Sequence, residues 1–298
     1  MLEHEIPLMK RARTARMALS LDPVVRAMLE TPASRKVLRA RQTSLNDTVV
    51  ATRQGLRSAL AQQLYSSVNG RGLAPAPQVP AQHRWVTSGD MTLNGHAYIG
   101  AIKIRGNLVA TALRSARGRP QTDVRCDCCG RPEDLPHILQ SCPRTHTSRI
   151  ARHDKIVDLV ISCAEKIGYG ICREPAIPTP AGIRKPDLIL VHDYDLTILD
   201  VTIVADNADL EQSHQDMQVY YDVPAIREWV QSRYEPRHIV FEALAMSWRG
   251  LLASRSAAAL RRLGLSARFL SLASAVALEH GTSILNHFRR PTYTITSR

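Results

Sequence analysis

Apolar residues fall into two rhythms along this chain. Over residues 10–41, and again from about 46 to 68, they recur at helical spacing, with Val49, Val50, Leu56, Leu60 and Leu64 on one face of the second stretch. Asn46 or Asp47 is placed to cap that second helix, and Asn69-Gly70 to end it. The run GLAPAPQVPAQ at 72–82 breaks the pattern and reads as a Pro/Ala linker. A short helix is expected from Asn94 to Gly106. A long amphipathic one follows over 145–168, with Ile150, Ile156, Val157, Val160, Ile161 and Ala164 on its apolar face. Beyond Gly168 the rhythm shortens to β-branched runs at 171–175, 187–191 and 196–204. A helix over 208–222, a strand over 238–244 and a helical pattern over 251–289, with breaks at Gly264 and Gly281, complete the reading. The order α-β-β-β-α-β describes an α+β domain with a mixed sheet.

Two carboxylates interrupt the most apolar part of that region. Asp187 opens the run Asp187-Leu188-Ile189-Leu190-Val191, and Asp200 sits inside 196–204, with His192-Asp193-Tyr194-Asp195 as the turn between them. The pair of runs reads as a β-hairpin. A carboxylate in an apolar strand is costly to bury unless it is paired or binds a metal. Two of them on adjacent antiparallel strands can converge on one Mg²⁺ ion, the arrangement used for phosphodiester hydrolysis. The plainer alternative is that Asp187 caps the turn after Pro186 and Asp200 lies on a polar face.

Charge changes the picture through its placement. The chain has 298 residues and a net charge of +12, with 19 Lys/Arg against 7 Asp/Glu in residues 1–125 and 20 of each in 126–298. The whole basic excess therefore lies in the first part, as expected if that part meets a polyanion and the rest carries an acidic site. Arg114 and Arg117, three apart on a helical pattern, and Arg119 beside them form a candidate phosphate-binding edge. No run of eighteen apolar residues occurs, so no membrane partner is expected. The N-terminal MLEHEIPLMKRARTAR has no apolar core and is not read as a secretory signal.

Six cysteines lie at 126, 128, 129, 142, 163 and 172, four of them within 17 residues and beside His137. That clustering points to a metal in a reducing compartment rather than to disulfides. Cys126, His137 and Cys142 with one of Cys128 and Cys129 make a three-thiolate, one-imidazole set for tetrahedral Zn²⁺. The x2 spacing favours Cys129, while Cys163 and Cys172 read as core residues.

These residues resemble a known family. The Pro-Asp, twelve-residue, Asp pattern within α-β-β-β-α-β looks like the PD-(D/E)xK restriction-endonuclease-like fold. The runs RCDCCG…LPHILQSCP, RIARHDKIV, REPAIPTPAGIRKPDLILV and LDVTIVAD resemble the C-terminal part of the polyprotein of site-specific non-LTR retrotransposons that insert into large-subunit ribosomal RNA genes. SVNGRGL and NGHAYIGAIKIRGNLVATALRSARGR are similar to the linker region of the same polyprotein. The resemblance implies a structural Zn²⁺ on Cys126, Cys129, His137 and Cys142 and a catalytic Mg²⁺ on Asp187 and Asp200. Glu174 matches a recurrent family position and is a candidate third acid. Arg184 and Lys185 flank the first acid and, with Arg149 and Arg152, join Arg114, Arg117 and Arg119 as candidate nucleic-acid contacts. The implied partners are double-stranded target DNA in a ribosomal RNA gene and the element RNA, and the substrate implies the nucleus.

Two departures stand out. No Tyr-Ala-Asp-Asp-like polymerase motif occurs, so RNA-directed DNA polymerase activity is expected only of a longer parent polyprotein. The family pattern His-x-x-Lys-x-x-x-Tyr places a catalytic lysine where this chain has Met217, between His214 and Tyr221. His214 or Gln218 could partly substitute, and His214 is taken as the candidate catalytic residue. The expected division is 1–82 helical and basic, 83–125 a basic linker, 126–145 the knuckle, 146–248 the endonuclease core and 249–298 C-terminal helices.

Overall fold

A computed structural model of the chain describes residues 53–87, 92–119 and 121–290. The helix expected over 10–41 and the caps at Asn46 or Asp47 lie outside the described residues. The chain divides into two units, Met1–Arg71 and Gly72–Arg298. In the first, helix α1 spans Arg53–Ser66. The segments 83–125, 126–145, 146–248 and 249–298 distinguished from sequence all share the second unit.

The Pro/Ala stretch is not a linker. Its prolines fix φ for two tight 3₁₀ turns, Ala76–Gln78 and Pro80–His83, and a single α-helical turn follows at Arg84–Thr87. Val79 and Gln82 are buried there. Gln82 is satisfied on both sides of its amide, donating to the Ala76 carbonyl at 3.2 Å and accepting the Leu252 N–H at 2.8 Å.

Helix α2, Gly95–Arg105, starts at Asn94, whose side chain accepts the Ala97 N–H at 2.9 Å. After the cysteine segment comes α3, His146–Glu165, whose Ile156, Val157, Val160 and Ala164 are buried. Strand β1 is Gly170–Arg173, and a small hairpin of β2, Ile177–Thr179, and β3, Gly182–Arg184, follows. Strands β4, Leu188–His192, and β5, Asp195–Val204, then pair antiparallel. Their turn is closed by Asp193 in the left-handed region at φ 52°, a conformation that short polar side chains tolerate. Helices α4, Leu210–Tyr221, and α5, Pro224–Tyr234, cross to β6, His238–Ser247, which pairs parallel with β5. Two helices close the unit, α6 at Ser254–Arg262 and α7 at Ala267–Arg289.

The sheet order is β1-β4-β5-β6, so the expected hairpin occupies its centre. Period-two alternation gives both its faces apolar residues. Leu188, Leu190, Leu199 and Val201 pack with α3 and with Leu260 and Ala273 of the C-terminal helices. Ile189, Leu196 and Ile198 pack with Tyr221, Ile226 and Val230 of α4 and α5. Gly264, at φ 83°, breaks the C-terminal helices as expected. Gly281 does not: α7 runs through it, where a Cβ would lie 3.3 Å from Ile104 of α2. Its role is close helix packing, not termination.

Candidate metal sites

The first site grows from a turn. Cys126 donates its N–H to the Arg131 carbonyl at 2.7 Å, and Gly130, at φ 73°, donates its own to Cys126 at 2.8 Å. This tight loop turns the thiols of Cys126 and Cys129 inward and leaves Cys128 exposed, which settles the choice between 128 and 129. His137 and Cys142 are five residues apart, and in an α-helix that spacing overshoots a full turn by about 140°. The segment His137–Ser141 forms a wider π-helical turn instead, closed by Cys142 N–H to the His137 carbonyl at 2.9 Å. The four ligand atoms of Cys126, Cys129, His137 and Cys142 consequently lie within 4.8 Å of one another.

Two of these separations are 3.9 Å, between the Cys126 and Cys142 sulfurs, and 3.3 Å, between Cys129 Sγ and His137 Nε2. A tetrahedral Zn–S bond of about 2.3 Å implies ligand edges of roughly 3.8 Å, so the donor set could hold a zinc ion. Ser141 Oγ sits 3.2 Å from His137 Nδ1, and that contact orients the imidazole with Nε2 toward the sulfurs. Burial foremost, with Cys126 beside it, pushes the Cys142 thiol up to about 12. A metal reverses this cost by binding the thiolate.

The second site lies where β4 begins. Leu188 pairs with Leu199, so the register carried one residue further sets Asp187 opposite Asp200, on the same sheet face at a Cβ separation of about 5 Å. One more step sets Pro186 opposite Val201, and proline has no N–H to offer. Side chains take over the ladder there. Asp187 Oδ2 accepts the Val201 N–H at 2.7 Å, and His153 of α3 donates from Nε2 to the Val201 carbonyl at 3.0 Å and to Asp187 Oδ2 at 3.1 Å. Two residues on, Gln140 of the cysteine segment donates to the Ile203 carbonyl at 2.9 Å. From α4, Tyr221 donates its hydroxyl to Asp200 Oδ1 at 2.9 Å and to the Lys185 carbonyl at 3.1 Å.

The electrostatics follow from this crowding. Burial, then the negative charge of Asp187, raises the Asp200 carboxyl to about 6, against the opposing pull of the Tyr221 hydroxyl. The hydrogen bond to Asp187 raises His153 to about 9, so its imidazole is protonated at neutral pH.

The other expected site residues separate. Glu174 follows β1 directly, at φ 46°, and donates its N–H to the Asp187 carbonyl at 2.9 Å. Its carboxylate points out, 61% exposed and 3.6 Å from Arg173. His214 is only 2% exposed. Its Nδ1 donates to the Ala243 carbonyl at 2.9 Å and meets Ser256 Oγ at 3.0 Å, while Nε2 lies 3.5 Å from Glu242. It ties α4 to β6 and α6, seven residues and about 10 Å of helix rise from Tyr221. Met217, one turn before Tyr221, packs in the same apolar cluster as that tyrosine.

Among the candidate nucleic-acid contacts, Arg117, Arg119 and Lys185 are exposed. The Arg114 helix is a single turn, Ala112–Ser115, so no face carries both Arg114 and Arg117, and Arg114 donates to the Asn107 carbonyl at 2.6 Å. Arg149 donates to the carbonyls of Gln140 and Cys142. Arg184 lies over the Tyr220 ring at 4.3 Å and donates to the Tyr220 carbonyl. Arg152 is the clear correction: at 2% exposure it donates to the Leu139 carbonyl at 3.2 Å and to Gln140 Oε1 at 2.5 Å, bracing the knuckle from inside.

No family model matches the chain. Over 233 residues, 78% of its length, it is 31% identical to the retrovirus-related Pol polyprotein from the type-2 retrotransposable element R2DM of Drosophila melanogaster, covering 22% of that protein. Over 270 residues, 89% of its length, it is 29% identical to the Pol polyprotein from a type-1 R2 element of Popillia japonica, covering 55% of it. A Pol polyprotein from an R2 element of Nasonia vitripennis is 31% identical over 225 residues, 22% of its own length. The chain is a homologue of part of the R2 retrotransposon Pol polyproteins. It spans between about a fifth and just over half of the length of these curated relatives.

Within this R2 Pol segment, neither His153 nor Tyr221 stands out in the sequence as a partner of the acid pair. For Tyr221 the signal was present, since it closes the His214-x-x-Met217-x-x-x-Tyr221 pattern. His153 gave none, being one polar residue among Arg149, Arg152 and Lys155 on a helix whose apolar face alone was periodic.

Proposed function

We propose that the chain carries a Mg²⁺-dependent endonuclease domain with a restriction-endonuclease-like core, derived from a non-LTR retrotransposon. It would nick double-stranded target DNA, in a ribosomal RNA gene in the nucleus, and so prime reverse transcription of the element RNA by the polymerase of a longer polyprotein. The observation that carries this reading is the Asp187/Asp200 pair, opposed by register on two central strands and close enough for the charge of one to raise the other. A divalent cation held by the two carboxylates supplies an activated water and polarises the target phosphate. Tyr221 and His153 hold the two carboxylates from opposite sides of the sheet. The exposed Arg117, Arg119 and Lys185 would grip phosphates, and zinc on the knuckle would be structural.

The test is conversion of supercoiled plasmid bearing a ribosomal target to nicked circles in Mg²⁺. Asp187→Ala should abolish nicking, because it removes one of the two carboxylates that would hold the cation. Unchanged nicking in that variant removes the pair from the mechanism.

Met217 favours a second reading, a catalytically decayed nucleic-acid-binding segment with the same fold. The family lysine would stabilise charge at the phosphate, and a thioether supplies neither proton nor charge. Met217→Lys separates the two readings. Nicking gained by the lysine variant alone supports decay. Salt-sensitive DNA binding with no nicking by either protein supports a binding role.

A further inference from the structure

We propose that His153 is a positioning residue for Asp187, setting the rotamer in which that carboxylate meets the divalent cation. The proposal rests on the reading of Asp187 and Asp200 as a cation site. Its basis is the open edge of β5. Past the Leu188–Leu199 pair, strand β4 stops supplying backbone partners, and the Pro186 nitrogen has no proton to give. The Val201 N–H and the Val201 carbonyl would be left unmet at a buried position, a cost of about 1–3 kcal/mol for each group in general.

Two side chains meet that demand together. Asp187 Oδ2 takes the Val201 N–H, and His153 Nε2 supplies the Val201 carbonyl. The same Nε2–H also reaches Asp187 Oδ2 at 3.1 Å, so backbone oxygen and carboxylate oxygen share one donor. His153 Nδ1 faces Asp154 Oδ1 at 3.2 Å, which fixes the ring's rotation from its far side. Asp187 Oδ2 thus receives two donors, one from β5 and one from α3. Its other oxygen, Oδ1, takes part in no hydrogen bond among the described residues and is the one left for a cation. Tyr221 does the matching work on Asp200 through Oδ1. Residues that orient metal-binding carboxylates in this way ordinarily contribute about 10–100-fold to metal affinity or activity. His153 comes from a helix outside the hairpin, so it also fixes the first turns of α3 against the sheet where the acids lie.

The experiment is titration of the full chain with Mn²⁺, following the free ion by electron paramagnetic resonance, for the natural protein, His153→Ala, His153→Gln and Asp187→Ala. Far-UV circular dichroism and zinc content serve as folding controls. The expected result is Mn²⁺ binding about tenfold weaker in His153→Ala, with recovery toward the natural affinity in His153→Gln, whose amide N–H restores a donor near Nε2. A role confined to packing would leave the two His153 variants equal. Natural affinity in His153→Ala, or equal weakening in both variants, overturns the proposal while leaving the cation site intact. If Asp187→Ala binds Mn²⁺ as the natural chain does, or the natural chain binds none, the cation site falls and the proposal falls with it.

Discussion

His153 and His214 show how far one residue type can diverge within a fold. Both lie on amphipathic helices beside charged neighbours, and the sequence marks only His214, through its place in a family pattern. The structure buries His214 against β6 and α6 and brings His153 to the acid pair. The reason is geometric: a helical side chain's environment depends on which strand end the helix crosses, and periodicity reports only the apolar face. Titration at this scale has a definite sign. The Asp200 carboxyl is raised to about 6 on folding, so its contribution to stability is present below about 3.8 and lost as pH rises through about 6. His153 is raised to about 9, so its contribution is present below about 6.5 and lost as pH rises through about 9. Asp200→Asn should therefore flatten the fall in stability between pH 4 and 6.5 in cation-free buffer, by on the order of 1–3 kcal/mol at the upper end. Thermal melts across that range measure it, and an unaltered pH profile would mean the carboxylate is not held in low dielectric.

Helix α4 connects the elements to the site, since it carries Tyr221 and Met217 between β5 and β6. Its N-terminus is capped by Asp209, whose carboxylate accepts the N–H groups of Glu211 at 2.9 Å and Gln212 at 3.1 Å. Asp209→Ala should cost about 1 kcal/mol in urea unfolding, with little change in the slope. The hairpin of β4 and β5, the helices α2, α3 and α4 and the break at Gly264 were all legible, because each combines a clear period with turn or cap residues. The β2–β3 hairpin was not, because three-residue strands are shorter than any period can reveal. Helix α5 was missed for a related reason. It follows α4 after two residues, begins at Pro224, and buries only Ile226 and Val230 on its inner side.

At the scale of the molecule, the knuckle is built into the core instead of hanging from it. Cys126, Leu135, Ile138, Leu139 and Cys142 pack with Ile104 of α2, Trp248, and Leu278 and Ile284 of α7. Gln140 and Arg152 join it to β5 and α3. Loss of metal should therefore destabilise the whole second unit. The purified chain is expected to contain about one zinc, measured by emission spectroscopy. Cys129→Ser should remove the zinc and lower the thermal midpoint by several degrees. Cys128→Ser, at an exposed position outside the ligand group, should change neither.

The features written in the chain were local: the strand-turn-strand unit with its two acids, the zinc-type ligand spacing, the amphipathic helices and the likeness to retrotransposon polyproteins. Each is carried by residues near one another in the chain, where period, capping and ligand spacing act. Tertiary structure decided which groups from distant segments share a space. His153 meets Asp187 across 34 positions and Gln140 meets Ile203 across 63, while Arg152 is withdrawn from solvent and the Pro/Ala stretch is anchored by its buried Val79 and Gln82. The contacts of His153 and Gln140 depend on where β4 stops, because the unmet hydrogen bonds of β5 come into being only once the sheet has formed.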